Sequence, residues 1–151
     1  MGDILVVDDD EVVRGLLAWL FEDAGYAVRQ AGDGREALFE LIQEAPDCMV
    51  LDLMMPDVDG QTVLRRRREE GLAPDTRVII LTAKDSRADA VYCWEQGADE
   101  FLQKPFDGER LIKLVGDLMS LSADQLRHRR EVGLEEARRL DAIDAVFRNK
   151  A

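Results

Sequence analysis

The stretch MVLDLMMPDV, residues 49–58, decides how the chain is read. Met49-Val50-Leu51 is a short apolar run that ends on one acid, Asp52. The chain then enters a turn carrying Pro56, Asp57, Asp59 and Gly60. A short apolar run closed by turn residues predicts a buried strand of a parallel sheet. In open α/β sheets, sites lie just beyond the carboxyl ends of such strands, where Asp52 falls. A single acid at that place would more often cap a helix or start a turn.

Three further runs change that balance. Ile4-Leu5-Val6-Val7 leads directly into Asp8-Asp9-Asp10. Val78-Ile79-Ile80-Leu81 ends at Thr82, and Glu100-Phe101-Leu102-Gln103 ends at Lys104-Pro105. A parallel sheet sets these ends along one edge, so acids, a hydroxyl and an amine converge there.

Between the strands the spacing predicts helices. Glu11 to Ala24 carries Val12, Leu16, Leu17, Leu20 and Phe21 on one face, and Gly25 stops it. Tyr26 to Val28 is a short strand. Asp33 caps a second helix with apolar positions Ala37, Leu38, Leu41 and Ile42, closed by Pro46. A third helix covers Gln61 to Glu70, a fourth Ser86 to Gln96, and a fifth Asp107 to about Met119. Five βα repeats predict right-handed crossovers and helices on both faces, a flavodoxin-like (βα)5 doubly wound parallel sheet. The expected division is a domain over 1–120 and a C-terminal helical extension over 121–151, a linker or dimerisation helix.

Composition sets bounds. The 151 residues, 46% hydrophobic and 34% charged, suffice for one domain with a sizeable core. No apolar run approaches the roughly 20 residues needed to span a bilayer, and no signal-peptide pattern is present, so a cytoplasmic location is expected. The net charge of −12 is uneven: residues 1–119 hold 13 Lys/Arg against 26 Asp/Glu, and residues 120–151 hold 7 against 6. The acidic part would repel nucleic acid and anionic membranes, so direct contact with either is not expected. Cys48 and Cys93 form no metal or redox motif and read as packed thiols. Neither GxGxxG after the first strand nor GxxxxGK[ST] occurs. Arg65-Arg66-Arg67-Arg68 is the only basic run in the acidic part. It reads as a solvated helix face, with a docking patch as the alternative.

Gathered acids repel one another unless one keeps a proton or a cation neutralises them. Oxygen donors without a nearby His or Cys suit a hard cation, and Mg²⁺ fits. A carboxylate can also attack phosphorus to give an aspartyl phosphate, with Lys104 and Thr82 binding phosphoryl oxygens.

The pieces ILVVDDD (4–10), VLDLMMPDVDG (50–60), VIILTAK (78–84) and FLQKPF (101–106) resemble, in order and spacing, the receiver domain of bacterial two-component response regulators (CheY-like). The resemblance covers residues 3 to about 120. It implies that Asp52 is the phospho-acceptor, served by a sensor histidine kinase or histidine phosphotransfer protein. Asp8 and Asp9 match the Mg²⁺-binding acids, Asp9 the more direct of the two, and the backbone carbonyl of Met54 matches the third protein ligand. Thr82, followed by Ala83, matches the switch hydroxyl. Lys104 matches the phosphate-binding lysine, with a cis bond expected to Pro105, and Phe101 matches the aromatic switch.

Two residues depart from the common pattern. Phe101 stands where many relatives carry Tyr, and Lys84 where acids are frequent. An apolar Met54 cannot orient an attacking water, which favours a longer-lived phosphoryl state. Such a protein is no enzyme beyond promoting its own phosphorylation and dephosphorylation, and it signals through its helix 4–strand 5–helix 5 surface to a downstream partner or output domain. The rivals are a phosphate-inert pseudo-receiver, a receiver fragment of a larger effector, and a haloacid-dehalogenase-like phosphatase. The last would need an acid where Met54 stands.

Residues 120–151 lie outside the resemblance. Ser122 could cap a helix with Leu134, Ala137, Leu140, Ile143 and Phe147 on one stripe, and Glu135, Arg138, Asp141 and Asp144 toward water. Gln125 to Val132 reads as a solvated linker helix, His128 as a solvated side chain, and Gly133 as a weak point costing about 1 kcal/mol against Ala. The stripe has three candidate partners: the chain's own receiver, a second copy in a homodimer through 121–151, or an output domain.

Overall fold

A computed structural model of the chain describes residues 2–83 and 86–149. Its strands are β1 (Asp3–Val7), β2 (Ala27–Ala31), β3 (Cys48–Leu51), β4 (Arg77–Thr82) and β5 (Glu100–Gln103). All pair in parallel in the order β2-β1-β3-β4-β5. Helices α1 (Glu11–Asp23), α2 (Gly34–Gln43), α3 (Gly60–Glu69), α4 (Arg87–Glu95) and α5 (Gly108–Ser120) alternate with them, followed by α6 (Ala123–Asn149). This is the flavodoxin-like doubly wound sheet with a C-terminal helix.

Side chains that alternate along a strand supply two cores. Ile4, Val6, Val50, Ile79 and Leu81 meet Leu17 and Phe21 of α1 and Leu111, Val115 and Leu118 of α5. Leu5, Val7, Met49, Leu51, Val78 and Ile80 meet α2, α3 and α4 on the other face. With helices on both faces the central strands can be apolar throughout, which is why β1, β3 and β4 read as unbroken runs. Cys48 lies in the first core and Cys93 in the second, and both are buried and outside any disulfide.

Polar caps fix where the helices begin. Asp10, Asp33, Asp59, Ser86 and Asp107 each accept a backbone N–H of the first turn of α1 to α5.

Three expectations are corrected. β2 extends to Ala31 rather than stopping at Val28, because it pairs residue for residue with β1. Arg29, whose charge hides this strand in the sequence, is held by Asp3 at 3.1 Å and Glu40 at 2.8 Å. The basic run is not a uniform solvated face: Arg67 is buried, and its guanidinium donates to the carbonyls of Ala73 and Thr76, closing the α3–β4 turn. Arg68 donates to the carbonyl of Glu95.

The third correction concerns α6, which packs along α4 of its own chain. The part expected to be a solvated linker makes the firmest contacts. Leu126 enters the α1/α5 core, and Arg130 forms a two-pronged ion pair with the fully buried Asp99, at 2.6 and 3.2 Å. Arg129 bonds Glu100 at 2.7 Å and the carbonyl of Asp99 at 2.9 Å. Asp144, expected to face water, pairs with Arg87 at 3.2 Å. Gly133 is a seat rather than a flaw, since a Cβ there would come within 2.5 Å of the Trp94 ring. Of the apolar stripe, Ala137 is buried whereas Ile143 and Phe147 stay exposed.

Candidate functional site

Strand register places the acids. Val7 pairs with Leu51, so Asp8 and Asp52, each one residue further on, leave the sheet side by side. The Asp52 N–H donates to the Val7 carbonyl at 3.0 Å, carrying the ladder one step past the strand end. Both carboxyls are buried, while Asp9 is exposed. One carboxylate oxygen from each of Asp8, Asp9 and Asp52 lies within 4.8 Å of the others.

Backbone N–H groups hold the acids in place. Asp8 accepts from Asp10 at 2.9 Å, and Asp52 accepts from Met54 at 3.1 Å. Gly60 lets the start of α3 pack against this turn, because a Cβ there would stand 2.3 Å from the Asp52 carbonyl oxygen. No such contact can be read from the sequence around Gly60, where the residue looks like an ordinary turn glycine.

Lys104 arrives from the far edge of the sheet. Its Nζ lies 2.8 Å from Asp8 and 3.2 Å from Asp52. Burial acts to lower the pKa of this ammonium. The hydrogen bond to Asp8, the charges of Asp52 and Asp8, and the bond to Asp52 outweigh it, so the net movement is upward. The amine therefore stays charged between its acids. The Lys104–Pro105 peptide is cis. Thr82 ends β4, buried, and its carbonyl accepts the Lys104 N–H at 2.8 Å.

The remaining predicted residues surround this centre. Ala83 lines an apolar groove with Lys104 and Pro105. Met54 is exposed on the rim. Phe101 is half-buried: it packs on the α2–α4 core and also lines a cavity of about 530 Å³ beneath α6. Lys84 lies outside the described residues. Sequence reasoning missed the share of α6 in Phe101's surroundings, because the tail's charges masked its buried contacts.

Three acids with hard oxygen donors and an open side at Asp9 suit a divalent cation such as Mg²⁺. The site thus pairs an acid cluster able to hold such an ion with a buried carboxylate and a fixed ammonium.

Comparison with known proteins gives the same answer. The model of the response regulator receiver domain matches residues 4–116. The response regulator MprA of Mycolicibacterium vanbaalenii is 46% identical over 116 residues, covering 77% of this chain and 49% of that protein. The DNA-binding dual master transcriptional regulator RpaA of Synechocystis sp. is 40% identical over 119 residues, covering 79% of this chain and 49% of that protein. The chain spans about half the length of the curated relatives it matches. Among solved structures, a Francisella response regulator receiver domain superposes with a TM-score of 0.73 at 36% identity, covering 79% of this chain and 97% of that one. The beryllofluoride-activated DrrB receiver domain gives 0.72 at 30% identity, covering 80% and 99%. Matching sequence, sheet order and acid cluster together place this chain in the response regulator receiver domain family, within two-component signalling.

Proposed function

We propose that this receiver takes a phosphoryl group onto Asp52 from the phosphohistidine of a sensor histidine kinase or phosphotransfer protein. A bond forms between an Asp52 carboxylate oxygen and phosphorus as the phosphorus–nitrogen bond breaks, and the imidazole takes up a proton. The observation that carries this reading is the Lys104 ammonium, 3.2 Å from the Asp52 carboxylate and anchored by Asp8. It is a fixed positive charge beside the place where phosphoryl oxygens would develop charge.

Asp8, Asp9, Asp52 and the Met54 carbonyl would hold Mg²⁺, which when bound neutralises phosphoryl oxygens. Thr82, with Ala83 after it, would supply a hydroxyl and a backbone N–H on the other side, and Phe101 would follow Thr82 as the switch. The donor's approach is favoured by exposed Val12, Leu16 and Trp19 on one face of α1, next to the apolar groove that ends at Lys104. The receiver would be residues 1–120 and the extension 121–151. As the relatives' names and coverage support, the signal would pass to an output region or a downstream protein, in the cytoplasm.

The test is incubation with acetyl phosphate and Mg²⁺ followed by intact mass. A single phosphoryl adduct, absent without Mg²⁺ and absent in Asp52→Asn, is expected. An adduct that persists in Asp52→Asn would place the chemistry elsewhere.

A further inference from the structure

The outer face of α4 would be apolar and bare without α6. Trp94 is only 9% exposed, and it owes this to α6, whose Gly133 lets the helix backbone approach the indole ring. The contact is extensive: Leu126 and Ala137 are buried along it, and ion pairs fasten it at intervals. Arg130 clasps Asp99, Arg129 clasps Glu100, and Arg87 at the start of α4 meets Asp144. Between these ties lies the cavity into which Phe101 and Trp94 open. The contact is therefore well made at its clasps and poorly filled at its centre.

Each clasp is anchored on an element that runs to the candidate site. Asp99 stands just before β5, Glu100 begins it and Lys104 follows its end, while Arg87 begins α4, which follows Thr82 at the end of β4. Asp99 also accepts the Val78 N–H at 2.8 Å, tying the clasp to β4 itself. The clasps stand at 2.6 to 3.2 Å in this state, so a displacement of β4, α4 or β5 that α6 does not follow lengthens them. A shift drawn toward Asp52 that leaves α6 behind thus weakens its hold.

We propose that α6 is an intramolecular cover of the Trp94 face, seated while Asp52 is unmodified and released when it carries a phosphoryl group. Release uncovers an apolar surface on α4 that a partner protein can engage. The inference rests on the phosphoryl-accepting role of Asp52 proposed above. Linkage makes it reciprocal: a chain whose α6 is loosened should accept phosphoryl more readily.

The test reads amide hydrogen exchange of residues 123–149 in the full chain, with acetyl phosphate and Mg²⁺. Intact mass counts the adduct in the same sample. The phosphorylated chain should exchange at least about tenfold faster in α6, with β1 and β3 unchanged, and Asp52→Asn should show no change. Arg130→Met should exchange fast before any phosphodonor is added and should form adduct faster. If that variant proves unfolded by circular dichroism, Gly133→Ala, which leaves the Asp99 clasp in place, serves instead. An adduct without faster exchange in α6 overturns the cover and leaves the role of Asp52 standing. No adduct at all removes the role of Asp52, and the cover's release with it. Fast exchange in both variants without faster adduct formation also overturns the coupling.

Discussion

The ammonium of Lys104 and the carboxylate of Asp8 stand 2.8 Å apart although 96 residues separate them in the chain. This bond joins the far strand of the sheet to its centre and leaves the same nitrogen 3.2 Å from Asp52. Lys104→Met would leave two buried carboxylates facing each other. A loss of about 1–3 kcal/mol at neutral pH is expected from the uncompensated charge. Urea unfolding with and without Mg²⁺ checks this, since the variant should gain more stability from the ion than the wild type. Equal gains would show that the acids do not depend on Lys104.

Arg67 is the member of the basic run that the fold consumes. Replacing it by Ala leaves the buried carbonyls of Ala73 and Thr76 without their guanidinium donor. The expected cost is roughly 2 kcal/mol or more, against under about 0.5 kcal/mol for Arg65→Ala on the exposed side. Paired denaturation curves decide it, and similar costs at both positions would deny Arg67 its structural role.

Glycine-to-alanine changes should divide by place. Gly15 in α1 and Gly116 in α5 have nothing within 4 Å of a would-be Cβ, so alanine there should stabilise by about 0.5–1 kcal/mol. At Gly133 the same change meets the Trp94 ring, and the helix-propensity gain should be lost to displacement of α6. The observable is the thermal midpoint of each variant, rising for the first two and falling for the third.

Burial pushes the Cys48 thiol far above its ordinary value of 9.0. The charges of Asp99 and Asp47 add to the rise, and that of Arg77 opposes it. A raised pKa favours the folded state fully below the unfolded thiol's pKa, and the advantage drains away as pH climbs beyond it. Stability should therefore fall above about pH 9. In Cys48→Ala, less stable at pH 7, that alkaline decline should be shallower when followed by urea midpoints across pH 7–10.5. An unchanged slope would assign the decline to other groups.

Most of the fold was legible because β1, β3 and β4 are unbroken apolar runs between amphipathic helices. Asp8, Asp52, Thr82 and Lys104 were legible as a set because each directly follows or closes a strand, and parallel pairing brings such positions together. What escaped depends on contacts between distant segments. Arg29 looked like a strand breaker until its acids were in view, and Arg67 looked solvated until the α3–β4 turn closed on it. Arg129 and Arg130 read as ordinary tail charges because Asp99 and Glu100 lie thirty residues upstream. Gly60 and Gly133 are called for by neighbours that no local pattern reveals.

The burial of both natural cysteines makes the native surface silent toward thiol reagents. A single cysteine introduced on the outer side of α6 would accept a dye or spin label alone, without first stripping the wild-type thiols. Labelling spectroscopy can therefore start from the unaltered chain, and background reactivity in such a sample would itself report that one of the two layers had opened.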